Sequence, residues 1–289
     1  MKIQIMSDLR LESPRPECSR PESYRPRGAP LYDVFKIPPK APYLALLGNI
    51  GVVEDAGFFP FVEAQLSQFA IVLFVLGNRE PYHSTWPETK QKLHRFAASV
   101  NERSAASGQS GQPKTGSFVF LDQTRYDISS DVTILGCTLF TQVSGSRGWV
   151  TFARPQDFAG IYDWIVENHC AAHKSDLAWL NSQVSRISAE EPHRKIVVFT
   201  HHGPVTKDAR GAPHPRLVHS YISSCFASDL SVQECWTNPS VRLWAFGHTQ
   251  YNVNYVEDSG KMVLSNQRSW FSSEINGTKG FDEDLVVDI

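Results

Sequence analysis

Residues 71–80 read IVLFVLGNRE, an apolar and mostly β-branched or aromatic run that stops at a Gly-Asn-Arg-Glu turn. Such a run is a buried strand, and glycine at its end lets backbone or ligand approach closely. Four other runs close in the same way. IQIM (3–6) precedes Ser7-Asp8-Leu9-Arg10, YLALL (43–47) precedes Gly48-Asn49-Ile50-Gly51, IVVFT (196–200) precedes His201-His202-Gly203-Pro204, and LWAF (243–246) precedes Gly247-His248-Thr249-Gln250. In an open α/β sheet, ligands bind beyond the carboxyl ends of the strands, so five polar turns in this order are expected to converge on one crevice.

Working outward, further strands are expected at Val132–Leu135, Asn252–Val256 and Met262–Leu264, and helices at Phe58–Phe69, Trp86–Val100 and Tyr162–Ile187. In the last helix Trp164, Ala171, Leu177, Leu180 and Val184 fall at three- and four-residue spacings and predict the core-facing stripe. Residues 13–30 hold five prolines and four arginines, and residues 101–117 are rich in Ser, Gly and Gln. Both read as surface insertions in a single domain spanning 1–289.

Lys and Arg number 28 against 30 Asp and Glu, so no overall field draws the chain to nucleic acid or to anionic lipid. The longest apolar stretch, Phe69–Leu76, is far shorter than the roughly 20 residues of a membrane span. The five cysteines are scattered, odd in number and without a C-x-x-C pair. Neither a disulfide framework nor a thiolate zinc site is indicated, and a cytoplasmic protein is expected.

The five turns resemble the motifs of the calcineurin-like metallophosphoesterases, and the resemblance runs from Asp8 to Gln250. MSDLRLE, LLGNIG, GNRE and AFGHTQ stand where the small fungal-type members carry SDLHLE, LLGDIG, GNHE and AFGHTH. The resemblance implies a four-layer α/β/β/α sandwich with a two-metal site between the strand ends. In the family the first metal is held at the places here occupied by Asp8, Arg10, Asn49 and Gln250. The second is held at those of Asn49, Asn78, His201 and His248. One ligand of the first set and three of the second survive. The family's general acid, a histidine, corresponds to Arg79, and a guanidinium does not deliver a proton at neutral pH.

If Arg10 lies about 4 Å from the first metal position, its repulsion of a dication is roughly 8 kcal/mol at an effective dielectric near 20. No metal is therefore expected at the first position. Asn78, His201 and His248 remain a set able to hold a single Zn, Fe or Mn weakly. Asp8, Arg10 and Arg79 leave the crevice about +1 without metal, so it should attract an anion, which an arginine fork grips in bidentate fashion. Alternatively, Arg10 pairs with Asp8, and Arg79 with Glu80 or Asp55, filling the site with ion pairs.

Three readings follow. The first is a metal-independent enzyme in which Arg10 and Arg79 bind a small anionic or polar metabolite. Asn49, Asn78, Gln250, Tyr82 and His83 line the site in this reading, and His201, His248, His202 and Asp8 carry the acid–base chemistry of an elimination, isomerisation or cyclisation. The second is a pseudophosphatase that only binds a ligand or partner, and the third is a residual phosphoesterase with one metal. Weaker candidates are His169, His173 and Asp176 on the last helix, Lys207, Asp208 and Arg210 after the histidine turn, and Arg268. Trp149, Trp236, Trp244 and Trp270 are expected in the core.

Overall fold

The computed structural model describes residues 1–13, 29–110, 115–143, 155–206, 223–268 and 280–289. Its first sheet is built from β1 (Lys2–Met6), β2 (Tyr43–Leu47), β3 (Ile71–Val75) and β4 (Ser117–Phe120), all parallel. The second contains β5 (Thr124–Asp127), β6 (Val132–Cys137), β7 (Lys195–Thr200), β8 (Val241–Phe246), β9 (Asn254–Val256) and β10 (Met262–Ser265). Its order is β5-β6-β7-β8-β10-β9, with β6, β7, β8 and β10 parallel and the two edge strands antiparallel. A last strand, β11 (Val286–Asp288), returns to pair antiparallel with β1.

Strand alternation produces the layers. Along β1, β2 and β3, residues Ile3, Ile5, Ala45, Leu47, Leu73 and Val75 point one way and pack against Val197 and Phe199 of β7 and Leu243 and Ala245 of β8. The intervening Leu44, Leu46, Val72 and Phe74 face the other way, toward α1 (Phe58–Leu66) and α2 (Trp86–Ser110). On the second sheet Ile196, Val198, Trp244 and Phe246 pack on Leu180, Val184 and Ile187. These belong to α4 (Val166–Glu190), which follows a short α3 (Pro155–Gly160). Strands buried on both faces read as continuous apolar runs, which is why they were visible in the sequence. The result is the expected helix–sheet–sheet–helix sandwich.

The departures have local causes. α2 continues through residues 101–110, where a loop was expected, because Asn101 and Ser104 act on the helix side. Asn101 exchanges two hydrogen bonds with the Phe118 backbone, both 3.0 Å, and so docks β4, while Ser104 Oγ donates to Thr115 O. The expected Tyr162–Ile187 helix starts only at Val166 and runs to Glu190, and before it Trp164 packs with Val52, Tyr82, Phe140 and Ile161. The buried stripe of α4 is His169, His173, Asp176, Leu180, Val184 and Ile187, whereas Ala171 is exposed. Trp236 and Trp244 are core residues, 5.3 Å apart. Residues 14–28, Lys207, Asp208, Arg210, Trp149 and Trp270 lie outside the described residues. No described helix is long and apolar enough to cross a membrane.

Candidate functional site

Because β1, β2, β3, β7 and β8 are parallel within their sheets, the five turns meet at one edge, and backbone bonds knit them together. Asp8 N–H donates to Gly48 O, Arg10 N–H to Asn49 O and Gly247 N–H to His201 O, all 2.9 Å. Asp8, Arg10, Asn49, His248 and Gln250 all adopt positive φ, between 51° and 66°. Non-glycine residues are rare there and such strain concentrates at sites. Gly48 also has φ 82°, and a Cβ on it would stand 2.4 Å from His201 Nδ1, so only glycine lets β2 and β7 turns approach this closely.

At the centre lies Asn49, 1% exposed. Its Oδ1 accepts the Arg79 N–H at 3.0 Å, which fixes the orientation of the amide. The NH₂ group then donates one hydrogen to Asp8 Oδ1 and one to Asn78 Oδ1, both at 3.0 Å. Asp8 Oδ2 accepts the backbone N–H of His248 at 2.9 Å, and Arg10 Nη2 lies 3.9 Å from Asp8 Oδ1. The Arg10–Asp8 pairing is as the ion-pair alternative expected.

The histidines form the opposite wall and are fully buried. His201 Nδ1–H donates to Leu47 O at 2.8 Å, so its Nε2 faces Asn78 Oδ1 at 3.1 Å and His248 Nδ1 at 3.0 Å. His248 Nε2 lies 3.3 Å from Cys225 O. Among the described residues, three oxygen acceptors and one N···N contact call for three N–H protons on two rings, one more than two neutral imidazoles carry. The ring of His202 stacks on His248 with centroids 4.1 Å apart, and its Nδ1 lies 3.3 Å from Thr138 O.

Arg79 does not pair with Glu80 or Asp55. Its Nε donates to Glu12 Oε1 at 2.6 Å, and its guanidinium lies 5.1 Å from the Tyr82 ring. Asp55 accepts instead from Tyr32 Oη at 2.9 Å. Glu80 is wholly buried and accepts the N–H groups of Asn49, Ile50 and Gly77 at 3.0, 2.7 and 2.9 Å. It clasps two of the five turns together, and burial pushes its carboxyl up to about 7. Arg268 joins the cluster by donating from Nη1 to Leu9 O at 2.9 Å. Among the described residues, three guanidiniums (Arg10, Arg79, Arg268) meet two carboxylates (Asp8, Glu12) around the first turn.

Gln250 is partly exposed; its N–H donates to Gln267 Oε1 at 2.7 Å, and Gln267 Nε2 also holds Thr249 Oγ1 at 2.8 Å. His83 has an exposed side chain, and its N–H donates to Gly160 O. His169, His173 and Asp176 gather at a second place, around the turn after β6. His173 Nδ1 lies 2.8 Å from Leu139 O, Asp176 Oδ2 accepts Leu139 N–H, and His169 Nε2 lies 3.0 Å from Thr141 Oγ1. They hold Leu139 and Phe140, both at positive φ, and Phe140 packs on His202. Burial pushes the Asp176 carboxyl up to about 6. Glu12, Glu80 and Gln267 were missed as site residues. Glu12 and Glu80 stood beside the quoted turns, but nothing local marks a carboxylate as a clasp.

Two structural likenesses bear on this arrangement. The phosphopantetheinyl hydrolase of Mycobacterium tuberculosis superposes with a TM-score of 0.58 at 12% identity, covering 93% of this chain and 89% of that one. The fold is metallophosphoesterase-type. A dimetal phosphatase from Danio rerio superposes with a TM-score of 0.50 at 13% identity over 91% and 86% of the two chains. In sequence, the uncharacterized protein L509 of Acanthamoeba polyphaga mimivirus is 24% identical over 266 residues, 90% of this chain and 88% of that one. No family model matches the chain.

A metallophosphoesterase-type crevice implies two cations, and the residues fit them unequally. At the first position the Asn49 NH₂ faces Asp8 Oδ1 and Arg10 stands beside it, so the set does not fit. At the second, His201 Nε2 lies 3.1 Å from Asn78 Oδ1 and 3.0 Å from His248 Nδ1, and with both imidazoles neutral the two nitrogens and the amide oxygen would offer electron pairs to one cation. Those donor types are the ones that would hold a single cation. No described group of three or more His, Cys, Asp or Glu side chains is arranged to hold a metal.

Proposed function

We propose that this metallophosphoesterase-type chain is a metal-independent enzyme that binds a small anionic or polar metabolite through Arg10 and Arg79. The observation that carries the reading is the Asn49 amide. Its two N–H groups hold Asp8 and Asn78 together, doing with protons what a bridging carboxylate does with two cations. Arg10 on the first turn and Arg79 on the turn after β3 supply the positive charge, and their side chains are only 12% and 18% exposed, so an anion there meets them partly desolvated.

Acid–base work falls to the imidazoles. A proton taken up by His248 is shared with His201 Nε2 at 3.0 Å, and the Asn78 and Leu47 oxygens stabilise the resulting charge. This suits a non-hydrolytic step such as elimination, isomerisation or cyclisation, because Arg79, at the place of the family's general acid, does not deliver a proton to a leaving oxygen at neutral pH.

A second reading is favoured by the proton count of the histidine pair, which one cation satisfies as well as an imidazolium does. Asn78, His201 and His248 would hold it, and such a cation would supply a Lewis acid to a phosphoryl group. Elemental analysis after dialysis against Zn²⁺ or Mn²⁺, with a nitrophenyl phosphate assay, separates the readings. The expected outcome is less than one metal per chain, no metal-dependent turnover, and an EDTA-insensitive rise in melting temperature with phosphate. Arg79→Ala is expected to weaken phosphate binding tenfold or more, because charge-assisted hydrogen bonds contribute about 1.5–3 kcal/mol. Stoichiometric metal with turnover would establish the mononuclear phosphoesterase instead. Turnover of a binding metabolite that survives His201→Gln would remove the imidazole chemistry, and binding without any turnover would leave a pseudophosphatase.

A further inference from the structure

Glu12 has no role in the chemistry so far beyond holding Arg79, yet its geometry asks for a second partner. Its side chain is only 9% exposed, and Oε1 takes the Arg79 Nε–H at 2.6 Å. Oε2 is buried, and among the described residues it has no hydrogen-bond partner. Buried polar atoms are rarely left this way, and a carboxylate oxygen beside a binding crevice is the group expected to meet a donor on a ligand.

Its neighbours say what kind of ligand. Glu12 is tied to Arg79, whose N–H is bonded to the central Asn49, and Arg10 stands two residues earlier on the same turn beside Asp8. A group reaching Glu12 Oε2 therefore lies next to the positive end of the crevice. An anion without a donor would bring like charge toward the carboxylate, whereas one carrying a donor satisfies both sides.

We infer that Glu12 is a specificity-determining residue of the crevice, selecting anions that carry an N–H or O–H donor two or three bonds from the charged group. The inference rests on the proposed anion-binding reading and names the class of molecule that reading would take. Glu12 Oε2 accepts the donor while the guanidiniums hold the anion.

The test uses three probes on the intact chain, followed by calorimetry or thermal shift: O-phosphoethanolamine, 2-hydroxyethyl phosphate and ethyl phosphate. The two donor-bearing probes are expected to bind about tenfold more tightly than ethyl phosphate, a difference of 1.4 kcal/mol. Glu12→Gln, checked for a native melting transition, is expected to remove that preference. Equal affinity for all three overturns the inference while the anion-binding reading stands. Binding of none overturns both. Because the probe series needs no substitution, it decides the matter even if Glu12→Gln fails to fold.

Discussion

Arg10→His, Asn49→Asp, Arg79→His and Gln250→His made together are expected to give the crevice two divalent cations. The backbone is already shaped for them, since Asp8, position 10, position 49, His248 and position 250 keep positive φ and the turns are cross-bonded at 2.9 Å. What is missing is donor chemistry. A four-ligand zinc site gains on the order of 10–16 kcal/mol, whereas a guanidinium about 4 Å away opposes a dication by roughly 8 kcal/mol. Asn49→Asp alone would face two oxygens, Asp8 Oδ1 and Asn78 Oδ1, each 3.0 Å from the present NH₂. That single variant should melt earlier than the parent without metal and gain stability when Zn²⁺ or Mn²⁺ is added. For the fourfold variant, elemental analysis should find two metals per chain with nitrophenyl phosphate turnover. A well-folded variant that stays metal-free would refute the alignment of these turns with the family's ligands.

Glu80→Ala should be the most damaging single truncation near the site. It removes the acceptor of three buried N–H groups, those of Asn49, Ile50 and Gly77. Each orphaned donor costs about 1–3 kcal/mol, so a loss of at least about 3 kcal/mol is expected, a large share of the roughly 5–15 kcal/mol that holds a native chain folded. Chemical denaturation measures it, and a loss below about 1 kcal/mol would show that the clasp is dispensable.

The same carboxylate predicts a pH dependence. Burial raises its pKa from 4.5 to about 7, so between these values the folded state holds a proton that the unfolded chain releases. Stability is then fully present below about pH 4.5 and falls as pH rises to about 7, by roughly 3 kcal/mol. Asp176, raised from 3.8 to about 6, adds a slope of the same sign at lower pH. Glu80→Gln should flatten the part between pH 5 and 7 while leaving the Asp176 part, and an unchanged slope there would contradict the assignment.

Several elements escaped the sequence for identifiable reasons. β4, β5 and β11 are only three or four residues long, and β5 is only half-buried, so none carries an apolar run as long as those of the central strands. The helix over residues 101–110 hides behind small polar residues whose fit depends on Phe118 and Thr115. The α4 stripe was misread because its inward face is polar near the site, where His169, His173 and Asp176 serve the turn after β6.

The amino-acid sequence by itself determined the sandwich and the convergence of five turns, because doubly buried parallel strands are continuous apolar runs whose carboxyl ends share one edge. It also determined the donor types at those turns, Asp8, Arg10, Asn49, Arg79 and the histidines among them, since the identity of a side chain settles whether it offers an electron pair or a proton. Only the tertiary structure decided the partners: Glu12 rather than Glu80 for Arg79, three backbone amides for Glu80, and the direction in which the Asn49 amide points. Apart from Gly77 and Glu80, three positions apart, those choices join residues 29 to 67 positions apart in the chain. No local periodicity encodes which of several nearby carboxylates a guanidinium will meet; packing of the turns against one another does.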